Sequence, residues 1–415
     1  MSATRDRPAP RRRRRRGVRD TSARVQLALA GLTLAVLWAV ATTVGPFSDT
    51  TVNDLYVYRS YADLLRAGLL PYLDFGFEYP PLAALPLGLA GLPGTDEATY
   101  AVSFAVLMAA CALVGQQLAA RLAGSGRERV VVAWLMALTP IAIGASLRTH
   151  YDALPIAIAL GALLALCGGR PRLGFALLGV GTMTKLFPGL LAIAALGWLF
   201  ARGERRAAAS GGALYVAVVM AISLPFAGAG YVDSFRFHLD RPVQVESTPA
   251  SVLFALGGSG VTGTNVRPDR FKSNGLDGGH AVAVERVFAV LLVLALAAVV
   301  ALAARRPDAR HLVSCGFAAL LAFVALGKVF SPQYVIWLAP FAACAWAWRQ
   351  RLVALLVGAA IVLTQVEFPS RYLDLINERE DVILIVATRN ALLLAALVAL
   401  ATRLARPVPG PGPAG

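Results

Sequence analysis

Residues 48–81 read SDTTVNDLYVYRSYADLLRAGLLPYLDFGFEYPP, a polar and aromatic stretch that directly follows the first long apolar run of the chain. An apolar stripe recurs within it at helical spacing, at Leu55, Tyr58, Ala62, Leu65 and Leu69. The other side of the same helix carries the charged residues Arg59, Asp63 and Arg66. A helix with one apolar and one charged side lies along a membrane surface. The stretch therefore predicts an interfacial helix that begins at Asp54.

The carboxylate of Asp54 has two interpretations at this position. Asn53 or Asp54 could be the N-cap that accepts the unpaired N–H groups of the following helix. Alternatively, Asp54 could be a general base that acts on a hydroxyl group brought up to a lipid-borne substrate. The stretch alone leaves both interpretations open.

The composition indicates a polytopic membrane protein. Of the 415 residues, 57% are hydrophobic and 15% are charged, and the mean hydropathy is +0.64. A soluble domain has no interior large enough for so much apolar surface. Much of the net charge of +15 lies in the segment RDRPAPRRRRRR and in short loops. Positive charge in these places is expected to set the orientation in the membrane and to attract anionic lipid rather than to bind nucleic acid. The four cysteines lie inside apolar runs without paired spacing, which favours neither disulfides nor a metal site.

Hydropathy predicts an all-α membrane domain over residues 25–404, between disordered tails at 1–24 and 405–415. The first apolar run, 25–44, together with the later ones makes about twelve passes. The proline-rich segment 80–93 is predicted not to cross. The pair 173–184 and 186–201 is predicted to form a hairpin with Lys185 at its tip, and a single helix over 173–201 is the alternative. The later runs are 99–120, 130–147, 153–168, 173–184, 186–201, 207–227, 284–304, 311–328, 334–348, 352–368 and 383–402.

The arginines predict the orientation. With a cytoplasmic N-terminus, every arginine-bearing turn falls on the cytoplasmic side, as the positive-inside rule requires. Both termini are then cytoplasmic, and loops 45–98 and 228–283 face outward from the plasma membrane. The first half of loop 228–283 mixes aromatic and charged residues and is predicted to bind a polar ligand. Its second half is turn-rich and is predicted to be mobile.

Several cations fall on the outer side, where topology does not explain them. Lys185, Lys272 and Lys328 are the only lysines in the chain, and all three lie on this side, with Arg148 and Arg389 near them. Each could simply extend its charge to the interface. Several cations beside carboxylates at one membrane surface nevertheless indicate a site for a lipid phosphate.

Four segments together resemble glycosyltransferase family 87, the polyprenol-phosphate-mannose-dependent α-mannosyltransferases within the multi-pass GT-C class. They are VNDLYVYRSYADLL with FEYPPL in the first outer loop, TKLFPGLL around Lys185, FHLDRPVQVES at 237–247 and SPQYVIWLAPF at 331–341. The resemblance implies a GT-C-like fold and an inverting, metal-independent transfer with Asp54 as the catalytic base. In some related enzymes a phosphate-binding lysine precedes the Pro-Pro pair, but here Tyr79 stands there and Glu78 precedes it. The phosphate-binding role is therefore expected of Lys185, Arg148, Lys328 or Arg389.

The implied reaction fits the residues. A prenyl phosphate is a good leaving group, so the site must supply a base and cations for the departing phosphate. No cofactor is expected. The expected partners are a polyprenyl-phosphate sugar donor that carries a mannosyl or other hexosyl or pentosyl unit, a glycolipid or glycan acceptor, and the lipid bilayer. The candidates for acceptor and sugar binding are Tyr58, Glu78, Tyr79, His150, Asp152, His238, Arg241, Gln244, Glu246 and Gln333.

Two other classes compete with this interpretation. A secondary transporter is expected to show internal repeats and a site near the midplane of the membrane, whereas the polar residues here are gathered in two outer loops. A lipid-linked polysaccharide polymerase or ligase also works on lipid-linked sugars at the outer face. Such an enzyme would depend on arginines and a histidine rather than on an aspartate in the first loop.

Overall fold

Apolar helices make up most of the structure, a computed structural model that describes residues 11–257, 274–276 and 280–406. Within these residues, six helices are long and apolar enough to cross a bilayer. The all-α membrane fold is therefore confirmed, whereas the predicted number of about twelve spans is not. The six segments are Thr21–Ala41, Glu97–Ala123, Arg205–Phe226, Ala281–Ala303, Ala309–Leu326 and Glu380–Ala405.

Twenty α-helices are found in the described residues, and we number them in chain order. Helices α1 to α10 are Arg11–Ala41, Gly45–Ser48, Leu55–Arg66, Ala84–Ala90, Glu97–Ala123, Arg127–Ala137, Thr139–Ile143, Ser146–Thr149, Ala153–Cys167 and Pro171–Thr184. Helices α11 to α20 are Pro188–Ala201, Arg205–Ser223, Ala229–Asp240, Thr248–Ala255, Ala281–Ala303, Ala309–Leu326, Val335–Ala347, Arg351–Glu367, Tyr372–Ile376 and Glu380–Ala405. Two short strands, β1 (Val243–Gln244) and β2 (Gly275–Leu276), pair antiparallel, with Val243 opposite Leu276.

The helix ends that carry the arginine-rich turns meet at one end of the bundle. Arg310 at the start of α16 donates to Glu128 at the start of α6, at 2.7 Å. The Trp348 indole N–H donates to the carbonyl of Ala123, which ends α5, at 2.9 Å. The arginine-bearing turns around residues 123–128, 310 and 348 therefore lie together at one end of the bundle.

The segment 171–201 forms the predicted hairpin. Helix α10 ends at Thr184, Lys185 adopts an extended backbone, and α11 returns from Pro188. A Cβ built on Gly181 would lie 3.1 Å from the Cβ of Pro188. In a single helix these residues, seven positions apart, would be separated by about 10 Å along the axis, so the alternative of one continuous helix is wrong.

The core lies around α16 and α17. The membrane-length window of α16 is 83% buried, against 11% for α12 and α15. Nearly every residue of α17 is buried as well. Helices α12 and α15 have apolar surfaces that no helix of the described residues covers, as expected of helices that face lipid.

The predicted interfacial helix is α3, and its buried side consists of Val57, Tyr58, Tyr61 and Ala62. Helix α4, which follows in the proline-rich segment, has only seven residues, far fewer than the roughly 20 that a span needs. It packs against α3, since Arg66 donates to the carbonyl of Gly91 at 2.6 Å. The prediction that 80–93 does not cross is therefore confirmed.

The N-terminal tail differs from the sequence prediction. Helix α1 begins at Arg11, so residues 11–24, predicted to be disordered, are helical. Once the apolar run has nucleated a helix, each added residue contributes a hydrogen bond, and arginine is a good helix former. The second half of loop 228–283, including Lys272, falls largely outside the described residues, as do residues 1–10 and 407–415.

Candidate functional site

A cavity of about 620 Å³ opens at the end of the bundle opposite the arginine-rich turns. Its walls come from the start of α3, the turn before α9, the tip of the α10–α11 hairpin, the segment from the end of α13 through β1, and the chain between α16 and α17. Most of the predicted site residues line it. They are Asp54, Glu78, Tyr79, His150, Lys185, His238, Arg241, Gln244, Glu246, Lys328 and Gln333.

The carboxylate of Asp54 makes no capping hydrogen bond to the helix that it precedes. The side chain of Asn53 bonds the start of the helix instead, because its Oδ1 accepts the N–H of Leu55 at 2.8 Å. The carboxylate of Asp54 instead faces the cavity and is 35% exposed. The interpretation of Asp54 as a cap is therefore not supported, and its carboxylate is accessible to a ligand.

Two side chains hold this carboxylate from behind. The hydroxyl of Tyr58 donates to Asp54 Oδ2 at 3.3 Å, and burial keeps the pKa of this tyrosine well above its usual value. Nε2 of His150 lies 3.4 Å from the same oxygen. Nδ1 of His150 faces two acceptors, the carbonyl of Ser146 at 3.2 Å and Oγ1 of Thr149 at 3.0 Å. A backbone carbonyl can only accept, so Nδ1 donates in its contact with Ser146, and Nε2 faces the Asp54 carboxylate.

Lys185 reaches the cavity already paired. Its ammonium group lies 2.7 Å from both carboxylate oxygens of Asp152, which is fully buried beneath the cavity wall. The indole N–H of Trp337 donates to Asp152 Oδ1 at 2.5 Å. Trp337 is fixed in turn by stacking with Phe187 and Tyr334, at centroid distances of 4.2 and 4.1 Å. The structure thus places the predicted phosphate-binding lysine in a rigid ion pair.

Lys328 is also paired, although less tightly. Its ammonium group donates to Glu285 Oε1 at 2.8 Å and to the carbonyl of Leu239 at 2.6 Å. Its own carbonyl accepts the N–H of Gln244 at 2.9 Å. These bonds join α15, the end of α13 and the chain after α16 at one corner of the cavity.

Glu246 and Gln244 form the floor of the cavity. Gln244 Nε2 donates to Glu246 Oε2 at 2.6 Å, and the side-chain oxygen Oε1 of Gln244 accepts the N–H of Phe330 at 3.3 Å. Burial raises the pKa of Glu246 to about 7, against the opposing effect of the nearby Arg389. The carboxyl of Glu246 therefore changes its protonation state near pH 7, at the bottom of the site.

Arg389 and Arg148 do not line the cavity. Arg389 is fully buried behind Glu246, where it donates to the Glu246 carbonyl and lies 3.7 Å from carboxylate oxygens of Glu246 and Glu367. Arg148 donates to the carbonyls of Phe47 at 2.7 Å and Ser48 at 2.9 Å, which holds the chain that leaves α1. In the described residues both guanidinium groups are used for structure, so the structure does not bring them to the predicted phosphate site.

His238 connects the two loops that face the cavity. Its Nε2 lies 2.8 Å from the carbonyl of Glu78, and burial lowers the pKa of the imidazole. The Glu78 carboxylate accepts a hydrogen bond from the hydroxyl of Tyr61, while the hydroxyl of Tyr72 donates to the carbonyl of Tyr79. These contacts hold the first loop against α13.

Other cavity residues were not predicted from sequence. Trp337 belongs to the segment SPQYVIWLAPF, but its position in an apolar run gave no sign of the N–H that reaches Asp152. Glu285 was hidden at the start of an apolar run. The further cavity residues that sequence reasoning missed are Asn53, Tyr151, Phe187, Phe237, Tyr334 and Tyr372.

Metal coordination has no candidate in residues 11–257, 274–276 and 280–406, since no group of three or more His, Cys, Asp and Glu side chains there is placed to hold an ion. The groups that the cavity does offer are carboxylates, cations and aromatic rings. They are suited to proton transfer and to binding of a ligand with both charged and apolar parts.

Two solved structures are similar to this chain: ArnT from Cupriavidus metallidurans in the apo state, at 16% identity and a TM-score of 0.46 over 92% of this chain and 78% of that one, and the Archaeoglobus fulgidus oligosaccharyltransferase in the apo form, at 15% identity and a TM-score of 0.45 over 92% and 55%. No curated protein sequence matches. The family model of glycosyltransferase family 87 matches residues 77–332, more than half of the chain. The chain therefore belongs to glycosyltransferase family 87.

Proposed function

We propose that this protein transfers a mannosyl unit, or another hexosyl or pentosyl unit, from a polyprenyl-phosphate donor to a hydroxyl group of a glycolipid or glycan acceptor. The transfer takes place at the outer face of the plasma membrane and inverts the anomeric configuration. Family membership supports sugar transfer. The membrane helices suit a donor whose prenyl tail stays in the bilayer.

The main support for this function is the position of the Asp54 carboxylate in the cavity. The carboxylate is accessible from the cavity, is not used as a cap, and contacts the hydroxyl of Tyr58 and the imidazole of His150. A carboxylate placed in this way can accept a proton from a ligand hydroxyl. The family model begins at residue 77, so the proposal for Asp54 rests on this geometry and on the motif around it.

In the proposed reaction, Asp54 removes the proton from the acceptor hydroxyl while its oxygen attacks the anomeric carbon of the donor sugar. The bond from that carbon to the phosphate oxygen breaks, and its electron pair leaves with the prenyl phosphate. Attack from the side opposite the phosphate inverts the configuration. Afterwards Asp54 is protonated, and Nε2 of His150, 3.4 Å away, can accept a hydrogen bond from the carboxyl group or take over its proton.

The test is the Asp54→Asn variant in membranes supplied with labelled polyprenyl-phosphate mannose and a panel of lipid acceptors. Asparagine preserves the shape of the side chain but accepts no proton, so we expect the rate to fall by roughly 10²- to 10⁴-fold. The fold should be unchanged, because Asn53 rather than Asp54 bonds the helix N-terminus.

Asp49→Asn is the matched control. Asp49 lies in the same loop, but its carboxylate bonds Thr51 and Ser370 and does not line the cavity. This variant should keep near-parent activity. A folded Asp54→Asn protein that turns over at the parent rate would refute the assignment of the base. If the parent is active with donors that carry other sugars but not with the mannose donor, only the choice of sugar changes.

A further inference from the structure

We infer that Arg241, with help from Lys328, binds the phosphate of the lipid donor, and that the prenyl tail leaves the cavity along an apolar wall formed by α13, α15 and α16. The inference rests on the proposed function and deepens it. From the sequence, Lys185, Arg148, Lys328 or Arg389 was expected to bind the donor phosphate. Here that role is assigned mainly to Arg241, which was expected to contact the acceptor or the sugar.

Arg241 is a cavity residue whose guanidinium group has unused hydrogen-bonding capacity. Its Nε is buried and has no hydrogen-bond partner. In the part of the chain that the structure describes, no carboxylate lies within 4.0 Å of it. Its contact with the ring of Phe237, at 5.8 Å from the centroid, holds the group without neutralising it. The guanidinium group of this cavity residue therefore carries a charge that no carboxylate of the described residues balances, and an anion in the cavity would balance it.

The other cavity cations are already neutralised. Asp152 contacts the ammonium group of Lys185 with both oxygens, and Glu285 contacts that of Lys328. Lys328 donates two of its three N–H groups to Glu285 and Leu239, which leaves one for a ligand. A guanidinium group matches two phosphate oxygens at once, so Arg241 is the cation best suited to hold the phosphate.

Beside these cations the cavity wall becomes apolar. Ala289 and Leu292 follow Glu285 at four and seven residues along α15, so all three lie on one side of that helix. Phe323 and Leu326 of α16 and Leu239 of α13 complete the wall. Leu239 is 73% exposed, which is unfavourable in water but not beside lipid.

The order along the chain places charge and apolar surface next to each other. Arg241 comes two residues after Leu239, and Lys328 comes two residues after Leu326. A ligand that spans this boundary must have an anionic group at one end and a long apolar chain at the other. A prenyl phosphate has this form, and its phosphate gains negative charge as the sugar leaves, so a cation there also stabilises the transition state.

The experiment measures binding of a short prenyl phosphate, and of the prenyl alcohol of equal length, to the purified full-length protein in detergent. The parent should prefer the phosphate over the alcohol. Arg241→Met should bind the prenyl phosphate about 10- to 100-fold more weakly than the parent, because this is the loss in affinity expected when a hydrogen bond to a charged group is removed. Its affinity for the prenyl alcohol should equal that of the parent. Arg241→Lys should recover part of the loss, since it restores the charge without the planar donor pair. Arg241→Gln is a second neutral variant should the Met variant fail to fold.

Arg236→Met is the matched control, since Arg236 lies on α13, which ends directly before Arg241, pairs with Asp233 on the exposed side and does not line the cavity. It should bind like the parent. If both neutral Arg241 variants keep the parent's preference for phosphate, the role of Arg241 is refuted while the proposed donor class stands. If the parent itself does not distinguish phosphate from alcohol, the donor class fails together with the phosphate site.

Discussion

The ammonium group of Lys185 lies 2.7 Å from each carboxylate oxygen of Asp152. Asp152 is fully buried, and the side chain of Lys185 is only 14% exposed. Because the pair is enclosed, removing the cation leaves an uncompensated carboxylate in the protein interior. We predict that Lys185→Met lowers the free energy of unfolding by about 3–5 kcal/mol, measured by thermal or denaturant unfolding in detergent.

A double variant separates this effect from loss of a ligand contact. Lys185→Met with Asp152→Asn removes both charges and keeps an acceptor for the indole N–H of Trp337, so it should be more stable than Lys185→Met alone. Arg236→Met, which breaks an exposed pair with Asp233, should change stability by less than about 0.5 kcal/mol. Equal stability of Lys185→Met and the parent would show that the pair is not structural.

The approach of α13 to the first loop gives a second prediction. A Cβ on Gly230 would lie 2.1 Å from the backbone carbonyl oxygen of Tyr72, which a rotamer change cannot relieve. Gly230→Ala should therefore push α13 away from the first loop, weaken the contact between His238 and Glu78, and reduce transfer activity at least about tenfold, as misplaced binding groups do. Activity in membranes and the unfolding temperature in detergent are the measurements.

Gly228 provides the comparison for this substitution. Its backbone is extended, and a Cβ there would find only the Phe226 carbonyl oxygen, at 4.0 Å. Gly228→Ala should therefore behave like the parent. If both alanine variants lose activity equally, flexibility of the segment and not the close approach at Gly230 is the cause.

Glu246 makes stability depend on pH. Burial raises the pKa of its carboxyl from 4.5 in the unfolded chain to about 7 in the fold, so the native state binds more protons than the unfolded state between these values. The contribution of Glu246 to the free energy of unfolding is therefore greatest below pH 4.5. It falls by up to about 3 kcal/mol as the pH rises towards 7. Unfolding temperatures measured from pH 5 to 8 should show this decrease.

Glu246→Gln should reduce the decrease in stability between pH 5 and 7, because the amide does not titrate. Glu97→Gln, at a side chain that is 92% exposed, should leave it unchanged. If Glu246→Gln keeps the full slope between pH 5 and 7, another group is responsible for the dependence.

Orientation in the membrane can be tested with single cysteines in a background without the four native ones. Ser125 and Asn377 are both exposed, Ser125 at the end of the bundle with the arginine-rich turns and Asn377 at the end with the cavity. The positive-inside rule predicts that an impermeant maleimide labels Asn377→Cys on intact cells, and Ser125→Cys only after permeabilisation. The reverse pattern would place the cavity on the cytoplasmic side.

Periodicity and charge along the chain determined the helical membrane fold and the helix beginning at Leu55, whereas the choice between a hairpin and one helix over 173–201 came from the structure. These features depend on neighbouring residues, since a span or an amphipathic helix is specified by its own apolar pattern and by the turns that flank it. The same local pattern was enough to place Asp54 at a helix start and to predict that most of the site residues lie in loops on one side of the membrane.

Only the tertiary structure decided what each charged side chain does. Lys185, Arg389 and Arg241 are alike in sequence as cations near the predicted outer side. In the structure the first pairs with Asp152, the second is buried behind Glu246, and the third lines the cavity without a carboxylate partner in the described residues. These partners come from segments far apart in the chain. Which cation is neutralised therefore depends on how distant helices pack, because an ion pair forms only where two charges are brought within a few ångströms.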